Sequence, residues 1–219
     1  MSFLKNLFNK QPTISYGITV CNESAELNRL LPHLLQYIRS VDQVIVLQDV
    51  TEVNQEVTDT IQSYGSRLIH IQGCLSGDFS SFKNRLLTHA TGDYLFQLDA
   101  DEIPPESLLK SIGSILKKHR KSDCFLVPRI NIVHGIDEVR LQQWNWTQNE
   151  DGYINFPDYQ MRLFKIKGKK IYWENKVHEK LVGFRKLEAL PIETYAFCLI
   201  HEKNIDKQVQ QNDFYNKNF

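Results

Sequence analysis

Strand and helix signals alternate from residue 13 to about residue 131, and no other feature of the chain narrows its fold as much. Thr13 to Cys21 is a β-leaning run. Leu27, Leu30, Leu31, Leu34, Leu35 and Ile38 then recur at spacings of three and four, which places them on one face of a helix. Val44-Ile45-Val46-Leu47 is a short unbroken apolar run, as in a strand covered on both faces. A helix is predicted over about Gln55 to Tyr64, stopped by Gly65, with a third strand over Leu68 to Ile71. Asp78 is placed to cap the next helix, which carries Phe79, Phe82, Leu86 and Leu87. Tyr94 to Leu98 is a fourth strand, running into Asp99-Ala100-Asp101-Glu102. Pro104 and Pro105 open a helix to about Lys118, and Phe125 to Val133 is a fifth strand. Four strand–helix pairs in series predict an α/β fold with a mostly parallel central sheet and helices on both faces.

After about residue 134 the pattern changes. Trp144, Trp146, Tyr153, Phe156, Tyr159, Phe164, Tyr172 and Trp173 are interspersed with turn signals such as Asp151-Gly152, which suits strands and hairpins. The division is therefore an N-terminal amphipathic segment over 1–12, a nucleotide-binding half over 13–133, a mixed aromatic-rich half of the same domain over 134–203, and a helix or tail over 204–219. In the first of these, Phe3, Leu4, Leu7 and Phe8 share one helical face. Docking on the protein body is the simpler reading of that face, and weak contact with a membrane surface is the second.

Lys and Arg (26) balance Asp and Glu (26), so the basic excess of a dedicated nucleic-acid binder is missing. Cys21, Cys74, Cys124 and Cys198 form no C-x-x-C pair, so neither a zinc knuckle nor a redox dithiol is expected. Scattered thiols suit a reducing compartment. No apolar run approaches the ~20 residues that span a bilayer. The expected location is cytoplasmic, or peripheral to a membrane.

In an open parallel sheet, ligands bind beyond the carboxyl ends of the strands. Thr19, Asn22 and Glu23 lie there after the first strand, Gln48, Asp49 and Thr51 after the second, and Asp99, Asp101 and Glu102 after the fourth. Asp-x-Asp alone is weak, since 13 aspartates in 219 residues produce roughly 0.8 such pairs by chance. Its position after a wholly apolar strand is what gives it weight. Close carboxylates repel, and a hard cation such as Mn²⁺ or Mg²⁺ with phosphate ligands resolves that conflict. The competing reading is a solvated acidic loop ahead of the Pro104–Pro105 helix.

A second cluster is Trp173-Glu174-Asn175-Lys176-Val177-His178-Glu179. Read as a strand, it points Val177 and Glu179 one way and His178 the other. An acid there can act as a general base toward a hydroxyl, and a surface salt-bridged strand is the alternative. His201 and Glu202 follow an apolar strand predicted over Ala196 to Ile200. Lys83 and Arg85 are candidates to pair with a diphosphate. Trp144, Trp146 and Trp173 suit either stacking on a sugar ring or packing in the core.

Together ITVCNESAELNRLLPHL, DFSSFKNRLLTHATGDYLFQLDADE and YQMRLFKI…WENKVHEKL resemble family 2 glycosyltransferases of the GT-A fold, in particular small bacterial lipopolysaccharide-core glucosyltransferases. The resemblance spans residues 13 to about 185. It implies an inverting transfer of a sugar from a nucleotide donor, UDP-linked in the first instance, to a hydroxyl-bearing acceptor. It implies that Glu23, Asp49, Lys83 and Asp99 meet the donor, and that Asp101 coordinates the metal with His201 or His178, His201 being preferred. Glu179 of Val-His-Glu would be the base, with His178 and Trp173 toward the acceptor. The chain departs from the family in having QDVTEVNQEVTD where Asp-x-x-Ser-x-Asp is usual, and in lacking the general Glu-Asp base motif. Two other readings are a nucleotidyltransferase on a related sheet, which normally has a Gly-rich basic loop where this chain has CNESAEL, and an inactive nucleotide-sugar-binding module.

Overall fold

The computed structural model describes residues 11–218 apart from 167 and 169, so the amphipathic face of Phe3, Leu4, Leu7 and Phe8 lies outside the described residues. Labels below follow chain order over the described residues. The first half is β1 (Ile14–Val20), α1 (Ser24–Tyr37), β2 (Gln43–Asp49), α2 (Gln55–Ser63), β3 (Ile69–Gly73), α3 (Phe79–His89) and β4 (Tyr94–Asp99). These elements match the predicted series. Leu27, Leu30, Leu31 and Leu34 of α1 are buried, as their spacing requires. The Asp78 side chain accepts the Ser81 amide and caps α3.

The second half contains β5 (Glu102–Ile103), α4 (Glu106–Lys118), β6 (Cys124–His134), α5 (Glu138–Gln143), β7 (Ile154–Lys165), β8 (Tyr172–Glu174), β9 (Lys180–Val182), β10 (Leu187–Ala189), β11 (Leu199–Asn204) and α6 (Ile205–Asn218). Among the described residues, one nine-stranded sheet runs in the order β3-β2-β1-β4-β7-β6-β11-β5, with β10 also on β6. β1 to β4 are mutually parallel. β7 runs antiparallel to both β4 and β6, and β11 is parallel to β6, so the sheet is mixed beyond β4. None of the described helices is long and apolar enough to cross a membrane.

Two devices align the strand ends that build the site. The register pairs Thr19 with both Leu47 and Asp99, which brings the carboxyl ends of β1, β2 and β4 to one rim. At the opposite end, Asp93 accepts the Thr13 amide and hydroxyl, clipping β4 to β1. Gly92 beside it has no room for a side chain, because a Cβ there would lie 2.7 Å from the Ser15 nitrogen.

Two strand predictions need correction. The cluster from Trp173 to Glu179 is not one strand: β8 ends at Glu174, and Asn175 and His178 turn the chain with φ of 70° and 53°. Simple alternation therefore does not govern which way His178 and Glu179 point. The strand predicted over Ala196 to Ile200 lies instead at Leu199–Asn204, so His201 and Glu202 sit inside it. Its partners β5 and β6 extend past the apolar run, and pairing rather than hydropathy sets its limits.

Candidate active site

A cleft of about 1280 Å³ opens on the rim of β1, β2 and β4, and Glu23, Asp49, Lys83, Asp99, Asp101, Trp173, His178, Glu179 and His201 all line it. Residues more than 150 positions apart thus share one hollow. The rim acids are nonetheless held in different ways.

Glu23, ahead of α1, accepts the backbone amides of Cys21 and Asn22 through Oε2, which shapes the loop after β1. Asp49 is 5% exposed, and its Oδ1 accepts the Thr51 amide and hydroxyl together with the Leu75 amide. Both acids therefore organise loops at the end of the cleft formed by β1 and β2.

Asp99 accepts the Thr19 hydroxyl at 2.8 Å and an ion pair from the Arg162 guanidinium on β7. Burial alone would favour its neutral form. Arg162, with Lys83, the Thr19 hydroxyl and Arg129, outweighs that and holds the carboxyl far below the ordinary range. Glu102 is completely buried, where the alternative reading of this segment was a solvated loop. It accepts Arg162 at 2.6 Å and Arg129 of β6 at 2.8 Å, and Arg129 also binds Asp158 at 2.6 Å. Two guanidiniums thus lock three carboxylates, and all of these groups but Glu102 line the cleft.

Asp101 stands apart from this lattice. His201 Nε2 lies 3.2 Å from its Oδ2, and Lys203 Nζ lies 3.5 Å from the same oxygen. Burial works against ionisation, but the His201 and Lys203 contacts prevail and bring the Asp101 carboxyl down to about 2. Asn131 sets the chemistry of His201. Its amide nitrogen donates to Asp158 at 2.9 Å, so its amide oxygen faces His201 Nδ1 at 2.7 Å and must accept an N–H from it. A neutral His201 then turns its Nε2 lone pair toward the Asp101 carboxylate. Two acceptors 3.2 Å apart call for a positive species between or beside them; the Lys203 ammonium 3.5 Å from the same oxygen is one, and a proton or a metal ion between them is another. An imidazole nitrogen and one carboxylate, joined by phosphate oxygens and water, form a donor set that Mn²⁺ or Mg²⁺ accepts. Asp99 is not part of that set, because its oxygens are engaged by Thr19 and Arg162. No group of three or more His, Cys, Asp or Glu side chains able to hold a metal occurs among the described residues.

Across the cleft, the Lys83 ammonium on α3 forms an ion pair with Glu179 and lies 4.9 Å from the centre of the Trp173 ring. The local backbone dictates this meeting. Asn84 brackets Trp173 with two hydrogen bonds of 2.8 Å, donating to its carbonyl and accepting from its amide, and the Phe79 amide donates to the Lys176 carbonyl. The turn after β8 is thereby sewn to α3, with Glu179 facing Lys83. His178 is exposed at that turn and also lines the cleft. Arg85 is also exposed, lies against Gly73 and is not among the lining residues.

Trp173 differs from the acceptor platform expected of it. It is 7% exposed, its indole N–H donates to the Gln97 side chain at 2.9 Å, and Phe164 meets it edge-on. Its ring supports Lys83 from below. The half-buried Trp146 also lines the cleft, packed on Trp144 at 4.8 Å. Arg129, Arg162, Asp158, Asn131 and Lys203 were not anticipated. The available signal was charge inside strands that otherwise read as buried, since fully buried Arg and Asp occur almost only as pairs.

A parallel β3-β2-β1-β4 core, acids at its carboxyl rim and a mixed extension completing the cleft define a GT-A-type nucleotide-binding fold. S. aureus TarS superposes with a TM-score of 0.61 at 16% identity, over 87% of this chain and 36% of that one. TarS 1-349 in complex with UDP-GlcNAc gives 0.60 at 15%, over 87% and 58%, and its complex with UDP gives 0.60 at 15%, over 87% and 60%. At such identities the likeness is one of fold, and the chain spans 36% to 60% of those chains' lengths. No match was found among the curated proteins. Residues 15–207 match the family model described as Glycosyl transferase family 2, and the chain belongs to that family.

Proposed function

We propose that this chain transfers a sugar from a UDP-linked donor to a hydroxyl group of a glycan, lipid-linked or polysaccharide acceptor, with inversion at the anomeric carbon and with Mn²⁺ or Mg²⁺ as cofactor. The observation that carries this reading is the arrangement of two unlike pairs in one cleft of a family 2 chain: Asp101 with His201, and Lys83 with Glu179. The choice of uridine is supported by the likeness to TarS, whose structures include complexes with UDP-GlcNAc and UDP.

Asp101 and His201 would hold the cation, which when bound offsets the charge that develops on the departing diphosphate. The chain's own residues account for the other roles. The loops organised by Glu23 and Asp49 flank the nucleoside end, and Asp99, immobilised by Thr19 and Arg162, presents a fixed carboxylate edge toward the ribose. Lys83 offers a cation to the diphosphate. Glu179 accepts the proton of the acceptor hydroxyl, whose oxygen attacks the anomeric carbon as the bond to the diphosphate breaks on the opposite face. An α-linked donor then gives a β-linked product. Trp146 offers a ring face on the acceptor side.

A thermal-shift panel of UDP-, GDP-, CMP- and dTDP-sugars, each with and without Mn²⁺, tests this assignment. UDP-sugars are expected to raise the melting temperature, and more so with the metal. Failure of every nucleotide to shift the melt would overturn it.

A further inference from the structure

The Lys83–Glu179 pair joins the two groups that the transfer needs apart. The Lys83 ammonium occupies Oε1 of Glu179, so at that oxygen an acceptor's proton must compete with it. An ammonium held by a carboxylate is likewise partly neutralised toward a diphosphate. Both side chains are only slightly exposed, at 13% and 18%, so water screens the pair weakly. The ring of Trp173 covers one side of the ammonium. Lys83 is also close enough to the donor rim for its charge to act on Asp99. A lysine stem is flexible, so its head can swing between partners while α3 stays in place.

Resting on the donor-site reading above, we propose that Glu179 and the donor's diphosphate compete for Lys83. In the free protein Glu179 holds the ammonium; a nucleoside diphosphate takes it over, and the Glu179 carboxylate is released to serve as the base. Readiness of the base is thereby tied to occupancy of the donor site. No bond is made or broken in the exchange; one ion pair replaces another.

Competition has a signature that a simple base or a purely structural acid does not share. If Lys83 is engaged by Glu179 most of the time, the apparent affinity for UDP is lowered by the fraction of time the ammonium is free. Glu179→Gln removes the competitor and should tighten UDP binding by about tenfold, for a free fraction on the order of a tenth. In a Lys83→Met background the same change should alter affinity less than about twofold, because no ammonium remains to be released. Lys83→Gln serves as a second background, and melting curves of each variant establish that it is folded.

The measurement is calorimetric titration of the full chain with UDP at fixed Mg²⁺, for wild type, the single variants and the double variants. Tightening in Glu179→Gln that vanishes without Lys83 supports the exchange. Unchanged or weaker binding in Glu179→Gln overturns it, as does tightening that persists without Lys83, which would mark a general charge effect. Wild-type protein that binds no UDP overturns the donor-site reading and the exchange with it, whereas binding without the Lys83-dependent gain overturns the exchange alone.

Discussion

Arg162→Met tests the ion-pair lattice along the cleft. Arg162 is 4% exposed and pairs with both Asp99 and Glu102. The lattice contains three carboxylates (Asp99, Glu102, Asp158) and two guanidiniums (Arg129, Arg162), a local balance of −1. Methionine fills similar volume and removes the charge, leaving three carboxylates against Arg129 and a balance of −2. Removing one partner of a buried ion pair costs about 3–5 kcal/mol, most of it the penalty of the stranded charge. For a chain of this size, 1 kcal/mol shifts the melting temperature by about 2–4 °C, so the expected loss is about 6–20 °C. Calorimetric melts and urea titrations at pH 7 measure it. Adding Glu102→Gln to the variant returns the balance to −1 and should recover part of the loss. A loss below about 1 kcal/mol, or no recovery in the double variant, would refute the claim that Arg162 neutralises these acids.

Three further outcomes are expected. Asp101→Asn and His201→Ala should each abolish the additional stabilisation that Mn²⁺ confers on UDP-bound protein; an increment that survives both changes would place the cation elsewhere. Gly92→Ala should destabilise the chain by about 1–3 kcal/mol, read from urea midpoints, because its Cβ would meet the Ser15 nitrogen at 2.7 Å. Burial opposes ionisation of Asp158, but Arg129, Asn131 and Gln160 hold its carboxyl below the ordinary range. Its contribution is therefore complete above the unfolded value of about 3.9 and is lost as pH falls through the folded one. Asp158→Asn should accordingly cost about 1.5–3 kcal/mol at pH 7, a deficit that narrows below about pH 4. A deficit of constant size across urea titrations from pH 7 to pH 3 would contradict this.

What could be read without coordinates follows from the range of the forces involved. The elements from β1 to β4 announce themselves because helix and strand periods are local, and a parallel α/β unit places its strand ends on one rim. Glu23, Asp49, Asp99 and Asp101 were legible for that reason. The turn after Trp173 was not, because the positive φ of Asn175 and His178 leaves no mark in hydropathy. The placement of β11 depended on its partners β5 and β6 rather than on its own residues.

Local periodicity is enough to crowd acids onto the rim of a parallel sheet. What each of them does was settled by its neighbours in the fold. Asp99 became a fixed anchor because β4 lies beside β7, bringing Arg162 to it. Asp101 stayed apart and met His201, 100 positions away, because β11 closes the far side of β6. Charge interactions act through space and are indifferent to chain order, so the partner of each carboxylate was settled by strand neighbours that lie far away along the chain.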